Sequence, residues 1–488
     1  MEELDSNHTL ETPSSSSYQN RIKLNVGGKI FETTISTLQS GGPDSLLSAL
    51  SSRLNPNPNP NPVFIDRDPE IFSTLLSLLR SNRLPSTYRR YTKQELCEEA
   101  VYYGIENQLK SALLPPSLLG IDCSIVETIK PAAEGFPSSF TAGAGDGSVW
   151  IAHGGQISGY DWNLIHTGTV RSHFEDISSI RRVWSEIVAV GSEIDSGLHL
   201  YDVSCGKHVG AVEWTDKSDP RIYKSRVFAI TDSTDSIYGS LKCSHGENCV
   251  LQIDKNTLQV VSEIGRQSGN SAKSFVPGKL MYVPQLGMIV GSAVTCGAFG
   301  YSGYIRIWDP RSGNEVWETN EPGSGRSSRF GDSFADVDVD VDELTMSKVC
   351  SKSGDVAIAD LRKLTDDPWV YLEEKNASLR SSRGGGGEEG DNMVIHCYKK
   401  QVFLSREGDL EVWSSVNQKE EENRELDKWY YRRNYMGNST KEHELSSSNK
   451  GIVKRIEGGG DRLFVNREGV EGVEVWESSN FSKKVAVL

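Results

Sequence analysis

RIKLNVGGKIFETTISTL, residues 21–38, decides how the front of this chain folds. Ile22, Leu24 and Val26 alternate with polar residues, which gives a strand with one apolar face. Gly27-Gly28 is a two-residue turn that takes positive φ at both positions, as a tight hairpin requires. Residues 29–33 return as the second strand. Outward from the hairpin come DSLLSAL, then VFIDRDPEIFSTLLSLLRSNRLP, then ELCEEAVYYGIENQL. Asp44 stands where a helix N-cap belongs. Asp68-Pro69-Glu70 is a second helix start: a cap, a proline at the first helical position and an acid in the first turn. Ile71, Phe72, Leu75, Leu76, Leu78 and Leu79 recur at helical spacing and predict a buried face. Residues 92–95 form a capping box, Val101 and Tyr103 lie late in that helix, and Gly104 suits its end. Pro115-Pro116 closes the module. NPNPNPNP, residues 55–62, lacks the donors for a helix or central strand and reads as an exposed loop.

This order of motifs resembles the BTB/POZ domain of the potassium-channel tetramerisation (KCTD) type, over residues 20–114. The resemblance implies an α+β module that self-associates. It also places Asp66 and Arg67 near a subunit contact. Read without it, the same pair is a solvated turn running into the cap at Asp68. Channel tetramerisation domains can carry an interfacial zinc motif with paired cysteines; here the module has only Cys97, so that site is missing.

The chain has 488 residues, too many for one core, and a net charge of −15. The module is near neutral, with 11 Lys/Arg against 9 Asp/Glu over residues 20–115, so the acidity lies elsewhere. No basic stripe appears, which argues against nucleic-acid binding. Residues 1–19 are polar and Ser-rich and read as a disordered tail without a signal peptide. Eight scattered cysteines fit reduced thiols in the cytoplasm or nucleus. No run of 18 apolar residues occurs, so no membrane span is expected.

From about residue 131 helical periodicity gives way to short β-rich runs. One signature recurs: a strand ending in an aromatic or apolar residue followed by Asp. It appears at Tyr160-Asp161, Tyr201-Asp202, Ile253-Asp254, Trp308-Asp309 and Ala359-Asp360, with degenerate copies at Trp413-Ser414 and Trp476-Glu477. Successive copies lie 41, 52, 55, 51, 54 and 63 residues apart. That period indicates propeller blades and resembles WD-repeat proteins, although Trp308-Asp309 is the single true WD pair and no Gly-His partner precedes it. Seven copies predict seven blades, with six or eight left open. The Asp is expected to cap the turn after the third strand, and the aromatic to pack between blades. SIVETI (124–129) and VAVL (485–488) are both strand-like, and either could close the ring. Low-complexity stretches at 378–391, 417–425 and 437–450 read as loops between strands.

Cys243, His245 and Cys249 lie within CSHGENC, yet a structural zinc site needs a fourth ligand, so core and turn residues are the expectation. Gly145-Asp146-Gly147 and the glycines at 384–387 lack the Lys-Ser/Thr ending of a phosphate cradle. No GxSxG or HExxH occurs. No metal, no cofactor and no enzymatic activity are expected.

The resulting expectation is a disordered tail (1–19), an α+β BTB/POZ module (20–115), a linker (116–130) and an all-β propeller (131–488). Such combinations resemble substrate adaptors of cullin-3 ubiquitin ligases: the BTB module binds cullin-3, the second domain selects an unknown protein substrate, and the module makes a homo-oligomer. The resemblance places the cullin-facing surface on residues 39–44, 68–72 and 83–91, with Asp68, Glu70 and Phe72 as partner-binding candidates; Phe72 reads equally as core. A non-ligase scaffold and an auxiliary subunit of a channel or transcription complex are the rival readings.

Overall fold

A computed structural model describes residues 21–53, 62–131, 135–269, 275–297, 300–322, 333–351, 353–372, 393–406, 408–415, 431–437 and 451–478. The tail, VAVL and nearly all of the Asn-Pro and low-complexity stretches lie outside the described residues. The chain divides into two compact units, Met1–Leu114 and Pro115–Leu488.

In the first unit, β1 (Arg21–Val26) and β2 (Lys29–Thr34) form the hairpin, followed by α1 (Ile35–Gln39), α2 (Leu46–Arg53), β3 (Val63–Ile65), α3 (Pro69–Ser81), α4 (Lys93–Tyr103) and α5 (Glu106–Leu113). β1 is central, antiparallel to β2 and parallel to β3. Gly27 and Gly28 take φ of 52° and 88°, and a Cβ on Gly27 would stand 2.5 Å from the Arg67 carbonyl oxygen, so glycine is the residue that fits. Asp68 caps α3, its Oδ1 accepting from Glu70 N at 2.7 Å and Ile71 N at 2.9 Å. Thr92 and Glu95 make the reciprocal capping box of α4, and Gly104 ends it at φ 69°. The face of α3 read from its periodicity is the buried one: Ile71, Phe72, Leu75, Leu76 and Leu78 join Leu24, Val26, Leu96 and Tyr103 in one core.

The start of α2 differs from expectation. Its cap is Ser45, whose Oγ accepts from Ser48 N at 3.0 Å, while Asp44 points to solvent. Ser45 is drawn inward by donating to Gly42 O at 2.9 Å, and a Cβ on Gly104 would come within 2.9 Å of its Cα.

The second unit holds seven four-stranded sheets. Blades 1 to 6 span residues 139–171, 179–212, 226–267, 279–322, 334–371 and 394–435. Blade 7 has Val453–Gly459, Arg462–Arg467 and Val473–Ser478, and its outermost strand is β4 (Cys123–Ile129), antiparallel to Val473–Ser478. SIVETI therefore closes the ring, and the segment expected as a linker (116–130) contains a propeller strand. The residues ahead of β4 are also seated on the propeller: Gln401 Oε1 accepts from Gly120 N at 2.8 Å and its Nε2 donates to Leu118 O at 3.0 Å. Between blades 6 and 7, Leu118 and Cys123 join the buried cluster of Phe403, Val412 and Trp476.

The repeated signature falls at the end of the third strand in all seven blades. Its carboxylate caps the following turn, as expected: Asp161 accepts from Ile165 N at 2.8 Å, Asp202 from Ser204 N at 2.9 Å, Asp254 from Thr257 N at 2.8 Å, Asp309 from Arg311 N at 3.0 Å and Asp360 from Arg362 N at 2.9 Å. The preceding residue packs on the previous blade. Tyr160 shares a buried cluster with Phe464 and Val475, Tyr201 with Trp150 and Val170, Trp308 with Tyr238 and Val250, and Trp413 with Val349 and Ile358. Each interface is thus a small core keyed by the repeat, and stability adds up between neighbours.

Candidate functional site: docking surfaces on two modules

The start of α3 presents Glu70 outward, where its Oε1 pairs with Lys29 Nζ at 2.7 Å. Both groups are half or more exposed, so the pair adds at most ~1 kcal/mol and leaves Glu70 able to exchange partners. Asp68 is exposed too, but its Oδ1 is committed to the cap. Phe72 is not a contact residue. It is fully buried, edge-on to Phe31 at 5.0 Å and tilted against Tyr103 at 5.1 Å, because its position in the helix falls in the middle of the apolar stripe. The exposed part of this helix start is its rim, with Phe72 packed beneath it.

Asp66 is exposed. Arg67 reaches across to α4: Nη1 lies 3.2 Å from Glu99 Oε1, and the guanidinium sits 3.9 Å from the centroid of Tyr102. Burial pushes the Glu99 carboxyl above its ordinary range, against the pull of Arg67. Three large apolar side chains of this unit are exposed as well: Phe64 on edge strand β3 by 60%, Val101 on α4 by 59% and Tyr102 beside it by 39%. The sequence placed Val101 late in its helix without giving it a surface role, and did not single out Phe64 or Tyr102. The available signal was an aromatic at the outward position of the short strand VFI, and a second one beside the buried Tyr103.

In the propeller, polar side chains on the innermost strands link neighbouring blades. Asp336 Oδ2 of blade 5 accepts from Ile395 N of blade 6 at 3.0 Å, and Asp338 Oδ2 from Cys397 N at 2.8 Å. Lys279 of blade 4 lies 3.2 Å from Asp336 and 3.5 Å from Asp338. His396 Nδ1 lies 2.8 Å from Asp338 Oδ2, and its Nε2 accepts from Gly458 N of blade 7 at 2.9 Å, which makes Nδ1 the donor. Glu457 of blade 7 accepts from Ala142 N of blade 1 at 3.0 Å, and Arg181 of blade 2 meets Asp232 of blade 3 at 2.8 Å. Burial raises Asp336 in spite of Lys279; burial also works to raise Asp338, but Lys279 and His396 together hold it at about 2. These groups are used in holding the ring together.

The turn after the first strand of blade 6 is unusual. Lys399 and Lys400 both take positive φ, 50° and 60°, where Asn-Gly is the ordinary choice. Each lysine is pinned to a different neighbour: Lys400 to Glu343 of blade 5 at 2.5 Å, and Lys399 to Asp461 of blade 7. Cys243 and Cys249 are buried between blades 2 and 3, and His245 lies in a turn against Tyr223, 5.9 Å between centroids.

Comparison with known proteins matches both units. Residues 22–112 match the model of the BTB/POZ domain, and residues 132–478 that of the At2g24240-like C-terminal beta propeller. The chain belongs to this BTB/POZ and propeller family. It is 33% identical over 471 residues to the BTB/POZ domain-containing protein At5g41330 of Arabidopsis thaliana, covering 94% of this chain and 96% of the relative. At2g24240, from the same plant, is 29% identical over 479 residues, covering 94% and 98%. The potassium channel regulatory protein of Homo sapiens is 34% identical over 114 residues, covering 23% of this chain and 40% of that protein. Among solved structures, the Neurospora crassa Pan2 WD40 domain matches at 13% identity and a TM-score of 0.47, covering 75% of this chain and 98% of the domain. Among the described residues no helix is long and apolar enough to cross a membrane.

Proposed function

We propose that this BTB/POZ–propeller protein is a substrate-selecting adaptor of a cullin-3 ubiquitin-protein ligase. Its first unit docks the cullin and self-associates, and its propeller docks the substrate. The chain itself makes and breaks no bonds; ubiquitin is transferred by other subunits. The observation that carries the reading is the pairing, within one chain, of a BTB/POZ module with a complete seven-bladed ring, an architecture that fits an adaptor. The exposed rim at Glu70, braced by buried Phe72, supplies a cullin-facing surface; the apolar edge at Phe64, Val101 and Tyr102 supplies a self-association surface. Full-length protein is expected to capture purified cullin-3 at micromolar concentration. Glu70→Lys is expected to weaken capture mainly through a slower on-rate, since a rim charge steers encounter. An assembled full-length protein that captures no cullin-3 overturns the ligase reading and leaves the plain scaffold.

The likeness to a human potassium channel regulatory protein favours a second reading, regulation of a channel, but that match is confined to the first unit. Capture of a channel's tetramerisation domain in place of cullin-3 would favour it.

A further inference from the structure

Three of the chain's nine histidines meet where blades 1 and 2 join. His199 lies on the third strand of blade 2 (Leu198–Asp202) and His208 on the fourth (Lys207–Val212). His173 comes from the connection between the blades. A register shift between Leu200 and Tyr201 sets the two strand histidines side by side. His199 Nδ1 and His208 Nε2 are 3.0 Å apart. The His173 ring is 4.2 Å from that of His199, and its Nδ1 is 2.6 Å from Tyr201 OH. Phe174, 5.0 Å from His199, closes the buried side.

We propose that His199 and His208 form a two-imidazole seat for a divalent transition-metal ion, zinc or copper, with His173 as the third ligand. Imidazole nitrogens bind such ions at ~2.0–2.1 Å, so two ligands of one tetrahedral ion stand a few tenths of an ångström farther apart than this pair does. Small side-chain shifts admit the ion. Among the described residues no three His, Cys, Asp or Glu side chains already surround one point. The pair is the preformed part, and His173 joins it by turning from Tyr201. A ligand must offer a bare nitrogen. The Ser196 backbone hydrogen-bonds the His199 ring. A second hydrogen bond that fixes the tautomer is the usual companion of a metal-bound histidine. A carboxylate stands by: Glu213 Oε1 and His199 Nε2 lie 3.1 and 3.0 Å from the point where a Cβ on Gly197 would be. On binding, the hydrogen bond between the two rings gives way to the ion, and its proton passes to the other ring nitrogen of the donor ring.

The test uses tag-free, full-length protein titrated with zinc chloride in a calorimeter, and copper(II) followed by electron paramagnetic resonance. The expected result is one ion bound in the micromolar range or tighter, with nitrogen hyperfine structure in the copper spectrum. His208→Ala, at an exposed position, is expected to weaken binding by about tenfold or more and to lower the number of nitrogens coupled to copper, with His199→Asn doing the same. Zinc is also expected to raise the unfolding temperature of the native protein and not of His208→Ala. Equal affinity in folded His208→Ala, or no binding in the micromolar range, overturns the proposal.

Discussion

Gly265 of blade 3 and Trp308 of blade 4 share one interface so closely that a Cβ on the glycine would lie 2.7 Å from the indole Nε1. Gly265 also takes φ of 59°, so any other residue there meets both strain and the indole. Trp308 is the single true WD tryptophan, and it is buried among residues of both blades. Trp308→Ala is expected to cost ~3–5 kcal/mol, through lost burial and the cavity left behind. Calorimetry should show the propeller transition falling while that of the BTB unit stays. A joint shift of both would contradict two separately cored units.

β4 joins the two ends of the propeller, with Glu127 opposite Val475 and Ile129 opposite Val473. Glu127→Pro fixes φ and takes away an N–H in the middle of this strand, and the expected result is a lower unfolding temperature of the propeller. Hydrogen exchange should lose protection in 123–129 and 473–478 together. Unchanged protection there would mean that the ring does not depend on β4 for closure.

Asp338 carries a pH dependence with a definite sign. Its carboxyl is held at about 2 in the fold against an ordinary 3.8. A depressed acid stabilises the fold above its ordinary pKa, and that share is lost as pH falls from about 4 towards 2, up to ~2.5 kcal/mol. Asp336 is raised by burial and acts with the opposite sign, offsetting part of the effect. Asp338→Asn isolates the first contribution. Its stability in urea is expected to be lower near neutral pH, by ~3 kcal/mol, and flatter between pH 4 and 2. An acid limb as steep as that of the native protein would assign the effect to other carboxylates.

Much of this was legible because the repeat writes its own geometry. The residue before each Asp packs on the previous blade and the Asp caps the turn, so both roles leave a residue type at a fixed place. The caps at Asp68 and Thr92 were legible for the same local reason. Ser45 was not: Asp44 is the stronger cap by composition, and the inward turn of Ser45 depends on Gly42 and Gly104, far apart in sequence. β4 was one of two strand-like candidates, and the choice between them rests on pairing with a strand over 340 residues away. Phe72 was ambiguous because a helix start belongs at once to the rim and to the core. The histidine cluster left no pattern, since His173, His199 and His208 meet through an inter-blade packing and a bulge.

Self-association separates the roles of Arg67 and Phe64. Arg67 is tied within its own chain to Glu99 and Tyr102, so Arg67→Glu sets two carboxylates together at a partly buried position. It is expected to lower the stability of the BTB unit by ~1–3 kcal/mol and to weaken assembly as well. That result alone does not tell an interface from a damaged fold. Phe64 supplies the distinction. It points outward from edge strand β3 and is 60% exposed, so Phe64→Glu removes little from the core. An exposed apolar edge strand is a ready template for pairing unless a charge blunts it. Light scattering at micromolar concentration is expected to show an oligomer for the native protein and a smaller species for Phe64→Glu, at an unchanged unfolding temperature. Native protein that scatters as a monomer would remove self-association from the proposal. An oligomer that survives Phe64→Glu would move the interface away from the β3 edge.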